Sequence, residues 1–564
     1  MIDRVSHSQE DMSVAKKEND RTGHTRDIES ADLVLIGGNV ITVDGAFSVH
    51  SAVAVAGKRI IAVGTDINIR ALADEETQVI DLAGKTVLPG IIDPHGHIHS
   101  YGRLLQNLDL NRTTSYQDIV DLVAERVRST RPGDWIIGQG WDQNNWADKT
   151  FPTHHALSAV APDNPVILNR SDGHAILVNR CAMDLAGIRD ETPDPIGGRI
   201  VRDAQGHATG IFVELAEDLI RQYEPMTDDL IRDRFRLTAN ALLAKGVTSS
   251  HELGVSPQEL DVYKAMDIAG ELNFRVVGFF DDPELETEAD YASFFEDNVV
   301  PGDADSLFTL NGIKLFRDGT LGSRSALLMA PYSDDPGNRG LSVASEQHVL
   351  TVSKVALKGG LQVITHAIGD EAVHSTLNAY ERALEVTGKT DHRLRLEHAQ
   401  IIDKGDIGRF AELGVIVSVQ PGSAISDMAW TEDRVGPERV QYAYRFRDFI
   451  DTGAQLIISS DFPTESINPF ETMYRAVTRK NEAGEPQGGW HADQALTIEE
   501  ALKAHTIRAA EAGFQDHLVG SIEAGKLADL TVISDNILNI DPALLLEVKV
   551  QMSIVNGIVQ YSSE

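Results

Sequence analysis

The segment IIDPHGHIH at 91–99 sets His95, His97 and His99 at alternate positions behind an apolar run. In a strand, alternation puts His95 and His97 on one side, where a single metal ion can accept both imidazoles. Asp93 falls on that side too, and His99 would if the strand ran on, but Gly96 marks a chain already turning. An HxH pair alone is weak, because histidines also decorate solvated strand faces. Four other polar side chains change that weight: Lys314 interrupts GIKLF, His366 ends VITHA, His398 ends LRLEHA and Asp461 ends LIISSD. Buried parallel strands read as near-continuous apolar runs, and a charged or imidazole side chain inside one is costly unless paired or bound to metal. A core ion pair explains any one of these positions; it does not explain all of them together.

The elements that must position these groups are short apolar runs alternating with helix-like stretches. Eight strands are expected at 86–93, 246–252, 274–280, 312–318, 361–367, 394–400, 415–421 and 454–461. That is the pattern of a (β/α)₈ TIM-like barrel, whose chemistry collects at the carboxyl ends of its strands. Segments 31–85 and 520–564 hold hairpin-like strands, the latter with an Asn-Gly turn, and are expected to form one composite β-domain resembling a sandwich. The barrel then occupies 86–519, with a large insertion after strand one at about 100–245. An insertion there emerges on the catalytic face and is placed to act as a lid or substrate wall.

Composition narrows the function classes. Against 86 Asp+Glu stand 50 Lys+Arg, a net charge of −36, which repels nucleic-acid phosphates and anionic membranes. One cysteine, Cys181, cannot make an intramolecular disulfide, so the fold needs no oxidising compartment. Residues 1–30 carry no apolar signal core and no run approaches the length of a membrane span, so a cytoplasmic protein with a disordered polar tail is expected. Neither a GxGxxG turn nor a GxxxxGK[ST] loop occurs, which argues against a nucleotide cofactor.

Taken together, PGIIDPHGH, the strand-four lysine, the strand-five and strand-six histidines, the strand-eight aspartate and the closing GSIEAGKLADLTVI resemble the metal-dependent amidohydrolase superfamily. GQGWDQNNW, RSDGH, ATGIFVE, GIKLFRDGTLGSRSALL, THAIGD, LEHAQ and SSDFP resemble its family 3 branch, that of YtcJ-like proteins and N-substituted formamide deformylases, over about 31–562. The resemblance implies that His95, His97 and Asp461 hold one divalent metal, His366 and His398 a second, and an N-carboxylated Lys314 bridges them. Zinc suits such ligands, and one or two ions are both compatible with them. It further implies hydrolysis of a carbon-nitrogen bond in a small-molecule amide by a metal-activated hydroxide, with Asp461 taking the water's proton and passing it to the departing nitrogen. His174 is placed to polarise the scissile carbonyl. A homodimer is expected from the same resemblance.

Weaker candidates for substrate contact are Trp141, Asp142 and His251, with Trp146 beside the first pair, and Asp318 and Arg324, read as pairing with each other to anchor the loop after strand four. Asp370 reads equally well as a helix N-cap. Three alternatives stay open: a lactonase or esterase with the same metals, a deaminase, and a non-catalytic metal-binding regulator that kept the barrel. A deaminase of this type uses a glutamate three residues after the strand-five histidine, where this chain has Gly369.

Overall fold

The computed structural model describes residues 30–171, 175–195, 197–224, 226–298 and 306–563. The expected polar tail lies outside these residues, apart from its last position. Two compact units are present, Met1–His97 with Asn240–Glu564, and Ile98–Ala239.

The larger unit contains a parallel sheet of eight strands in chain order: β1 (Ile91–Gly96), β2 (Val247–Val255), β3 (Arg275–Asp281), β4 (Phe308–Phe316), β5 (Gln362–Ala367), β6 (Arg395–His398), β7 (Ile416–Val419) and β8 (Leu456–Ile458). It closes just beyond the strand ends, where the Asp461 N–H donates to the His95 carbonyl at 2.9 Å and the His97 N–H to the Phe462 carbonyl at 2.9 Å. The expected (β/α)₈ barrel is therefore the architecture of this unit. Strands β1, β5, β6, β7 and β8 are buried at every position, as helix-covered parallel strands require. The helices between them carry ordinary local signals. Helix Pro257–Ile268 opens on a Ser256/Glu259 capping box, and helix Asp370–Thr387 stops at Gly388, whose φ of 63° suits glycine.

One strand boundary differs from expectation. The run at 86–93 breaks at Gly90: Thr86–Pro89 joins a second sheet, and only Ile91 onward enters the barrel. A Cβ at Gly90 would lie 2.2 Å from the Thr248 hydroxyl, so the crossing from one sheet to the other admits no side chain. That second sheet has the order 558–562, 550–555, 530–533, 86–89, 39–41, 49–50, which joins the two remote ends of the chain. A neighbouring four-stranded sheet runs 59–64, 52–56, 33–36, 78–81. Strands 33–36 and 39–41, which read as a hairpin, belong to different sheets.

The smaller unit is built on a six-stranded sheet in the order 198–202, 208–214, 175–178, 166–170, 136–141, 108–109. Trp141, Trp146, Leu157 and Leu168 lie in one of its cores. Among the described residues no helix is long and apolar enough to cross a membrane.

Candidate metal centre

The end of β1 brings His95 and His97 to Asp461, just past β8. Asp461 Oδ1 lies 3.3 Å from His95 Nε2 and 3.3 Å from His97 Nε2. His398, at the end of β6, completes a group with His95 and Asp461 whose ligand atoms all fall within 4.8 Å of one another. The His366 ring stands 4.4 Å from that of His398. His95, His366, His398 and Lys314 are buried, whereas the His97 side chain is 30% exposed.

Plain alternation would point neighbouring side chains of a strand in opposite directions. His398 and Ala399 have φ of 77° and 41°, and Asp461 has 57°. These left-handed residues break the alternation, so Glu397 and His398 both reach the same centre. Backbone strain of this kind in non-glycine residues is held only where surrounding structure over-determines it.

The imidazoles are oriented from behind. His95 Nδ1 meets Glu397 Oε2 at 2.7 Å, and Glu397 Oε1 accepts from Arg395 Nε at 3.0 Å. His398 Nδ1 meets Gln420 Oε1 at 2.8 Å, and Gln420 Nε2 donates to the Ser459 hydroxyl at 3.1 Å. Both contacts turn Nε2 toward the centre. His366 is reversed: its Nε2 meets the Gly319 carbonyl at 3.2 Å, which leaves Nδ1 for the centre. Acceptors behind ligand histidines fix ring and tautomer in metal proteins.

Burial, reinforced by the Lys314 charge, holds His95 well below the ordinary imidazole range. Burial does the same to His366 and draws His398 down to about 3, so these three rings are neutral and able to ligate near pH 7. Burial raises Asp461, but His95, His97 and Lys314 together outweigh it and keep the carboxylate below its usual value. Burial also draws Lys314 down to about 8, and its Nζ has no hydrogen-bond partner. Neutral imidazoles, a carboxylate and an amine buried without an acceptor form a donor set suited to a divalent cation.

The remaining candidates fare differently. His174 lies outside the described residues. Trp141 is fully buried and donates its Nε1–H to the Leu168 carbonyl at 2.8 Å, so it packs in a core. Asp142 caps the turn at 143–145 and pairs with Arg170 at 2.8 Å. His251 is also buried, accepting from Arg395 Nη1 at 2.9 Å, and is engaged in the core rather than offered to a substrate. Asp318 and Arg324 do not pair. Asp318 accepts the N–H groups of Leu327, Ile368 and Gly369 at 2.8, 3.0 and 2.9 Å, tying the loops after β4 and β5, and Arg324 pairs with Asp334 at 2.8 Å. The N-cap is Gly369; Asp370 is the first helical residue and accepts from the Met329 N–H. Asp93 accepts from the Ser460 hydroxyl, and His99 lies in a helix with its Nε2 toward Arg234 Nη1 at 2.6 Å.

Sequence reading missed Glu397, Arg395 and Gln420. The rule that singled out Lys314, a charge inside a buried strand, applies equally to Glu397 and Arg395 in LRLEHA.

The Amidohydrolase family profile matches residues 78–561. N-substituted formamide deformylase of Arthrobacter pascens is 30% identical over 541 residues, covering 94% of this chain and 98% of its own length. Protein LONG AFTER FAR-RED 3 of Arabidopsis thaliana is 33% identical over 520 residues, covering 90% of this chain and 88% of its own. Among solved structures, an uncharacterized metal-dependent hydrolase from Pyrococcus furiosus aligns with a TM-score of 0.75 at 28% identity, covering 91% of this chain and 99% of that one.

Proposed function

The chain belongs to the Amidohydrolase family, and from that premise we propose that this metal-dependent hydrolase cleaves the carbon-nitrogen bond of an N-formyl or N-acyl amide of a hydrophobic amine. The observation that carries the reading is the convergence of His95, His97, His366, His398 and Asp461, with Lys314 buried among them without a hydrogen-bond partner. The likeness to a formamide deformylase over nearly both full lengths favours an amide substrate.

His95, His97 and Asp461 would hold one divalent ion, zinc by the chemistry of its donors, and His366 and His398 a second. Such an ion lowers the pKa of a water from about 15.7 to about 7 and polarises a carbonyl. Asp461 is the residue that moves protons. Its Oδ1 faces two imidazoles, and its other oxygen takes a proton from the attacking water and returns it to the departing nitrogen. Without that proton an amide nitrogen leaves as a poor amine anion. Lys314 in its neutral form adds carbon dioxide at Nζ and releases a proton, which replaces a buried ammonium with an anionic carbamate. Glu397 and Gln420 keep the rings of His95 and His398 aimed.

Deamination is disfavoured by space. A Cβ at Gly369 would lie 2.0 Å from the Leu327 carbonyl oxygen, so a glutamate shuttle has no room there.

Elemental analysis of purified protein and of Lys314→Ala, with assay against N-formyl amides, N-acyl amides, lactones and deoxynucleosides, tests the proposal. The expected result is about two metals per chain, fewer in the variant, and turnover of amides. Turnover of lactones or nucleosides with no amide cleaved would overturn it, and absence of metal after supplementation would favour a binding protein.

A further inference from the structure

Arg479 follows the helix Pro469–Thr478 in left-handed conformation, φ 58°, and its side chain is fully buried. Its Nε donates to the Trp490 carbonyl at 3.0 Å. The guanidinium sits over the Phe446 ring at 4.6 Å and near that of Trp490 at 5.6 Å. Ring faces attract the charge but accept nothing from its in-plane hydrogens. Nη1 and Nη2 have no hydrogen-bond partner, and neither has Nε2 of His491, whose ring lies 4.4 Å from that of Trp490.

The carboxylates nearby are engaged elsewhere. Asp427 accepts the Tyr444 hydroxyl. Asp493 accepts from Gln494 at 2.9 Å and faces Arg445 at 3.6 Å. Glu465 pairs with Arg475 at 2.8 Å. Lys314 is buried without a partner for a reason already given, the neighbouring ligand set; Arg479 has no such set around it. A buried guanidinium without a hydrogen-bonded counter-ion is costly, and its unbonded edge has the geometry that donates two parallel bonds to one carboxylate.

We propose that Arg479 and His491 form a binding site for a small carboxylate anion, separate from the metal ligands. The fork of Arg479 takes both oxygens and His491 Nε2–H donates to one of them. Trp490 and His491 are only half-buried, so the anion enters by displacing one of these two rings. The site stands alongside β6: the N–H of Tyr444, whose ring lies 5.6 Å from that of Trp490, donates to the Gln400 carbonyl at 2.8 Å, two residues past His398.

Thermal unfolding of the full-length enzyme in sodium acetate, against sodium chloride at equal ionic strength, tests this. A ligand of the folded state raises the melting temperature saturably with its concentration. Acetate is expected to do so and chloride is not. Arg479→Lys keeps the charge and loses the fork, and is expected to weaken the apparent acetate affinity at least about tenfold; His491→Ala weakens it less. Acetate also binds metals, so the response must persist in Asp461→Ala. No acetate response in the wild type, an equal response to chloride, an unweakened acetate response in Arg479→Lys, or loss of the response in Asp461→Ala would each overturn the proposal. If Arg479→Lys does not fold, a wild-type crystal grown in acetate decides, by density for acetate or for water alone at the Nη atoms.

Discussion

Both ends of the barrel bury charge, but they treat it differently. At the amino ends of the strands Arg275, opening β3, donates to Asp529 Oδ2 at 2.8 Å and to Asn556 Oδ1 at 2.8 Å, which ties the barrel to the sheet formed by the chain ends. In the layer above, Arg395 spends its donors on Glu397, His251 and the Pro94 carbonyl at 3.0, 2.9 and 2.8 Å. At the carboxyl ends Lys314 Nζ has no hydrogen-bond partner, and the Nε2 atoms of His95 and His97 converge on one carboxylate oxygen. A buried charge is thus no mark of function by itself; what sets the carboxyl ends apart is that several imidazoles and an amine gather around one carboxylate. The lower guanidiniums are paired within the fold, whereas the upper groups form a donor set suited to a cation.

Substitutions at the two ends should separate accordingly. The largest effect is expected for Asp461→Asn, which keeps shape and removes the proton acceptor: kcat/KM falls by about 10² to 10⁴ while the urea midpoint stays near that of the wild type. A variant that lost stability in proportion to activity would erase the distinction. Arg275→Ala is the mirror case. It strands Asp529 in the interior and should cost about 3–5 kcal/mol in urea unfolding, with metal content per folded chain unchanged.

Acid should attack the lower end through His505. This buried ring bonds the Ile92 carbonyl at 3.0 Å, and burial draws it down to about 4. Its folded pKa lies below the unfolded value near 6.5, so the unfolded chain binds the extra proton between those limits. The stability His505 contributes is fully present above about pH 6.5 and is lost as the pH falls toward about 4, by up to roughly 3 kcal/mol. His505→Gln should flatten that part of the stability profile; an unaltered acid slope would show that other groups set it.

The smallest effect sharpens the boundary between the ends, because Glu397 touches both. Glu397→Gln keeps an acceptor for His95 but removes the charge, and should weaken metal affinity about 10- to 100-fold in a chelator competition. Unchanged affinity would place Glu397 with the lower, purely structural set.

Much of the candidate centre was legible in the chain because its signal is local. A histidine, lysine or aspartate that interrupts, ends or directly follows an apolar strand is conspicuous wherever it occurs, and six such residues stood in or just beyond the expected strands. The barrel was legible for the same reason, since alternating strand and helix periods are short-range properties. Substrate contacts were not. Trp141 and His251 look alike as core or pocket residues until their neighbours are known, and Arg324 had its partner ten positions away in Asp334 rather than six away in Asp318.

The chain alone determined which residue types stand at the strand ends, and with them the class of chemistry. Tertiary structure decided which polar groups are already satisfied. Glu397 and His95 are 302 positions apart, and Arg275 and Asp529 are 254 apart. It also decided where β1 begins, because the closeness of Thr248 to Gly90 comes from packing, and it set the left-handed turns at His398 and Asp461 that swing two candidate ligands into one centre. Residue type and period act over a few positions, whereas hydrogen-bond satisfaction and steric room depend on partners that only folding brings together.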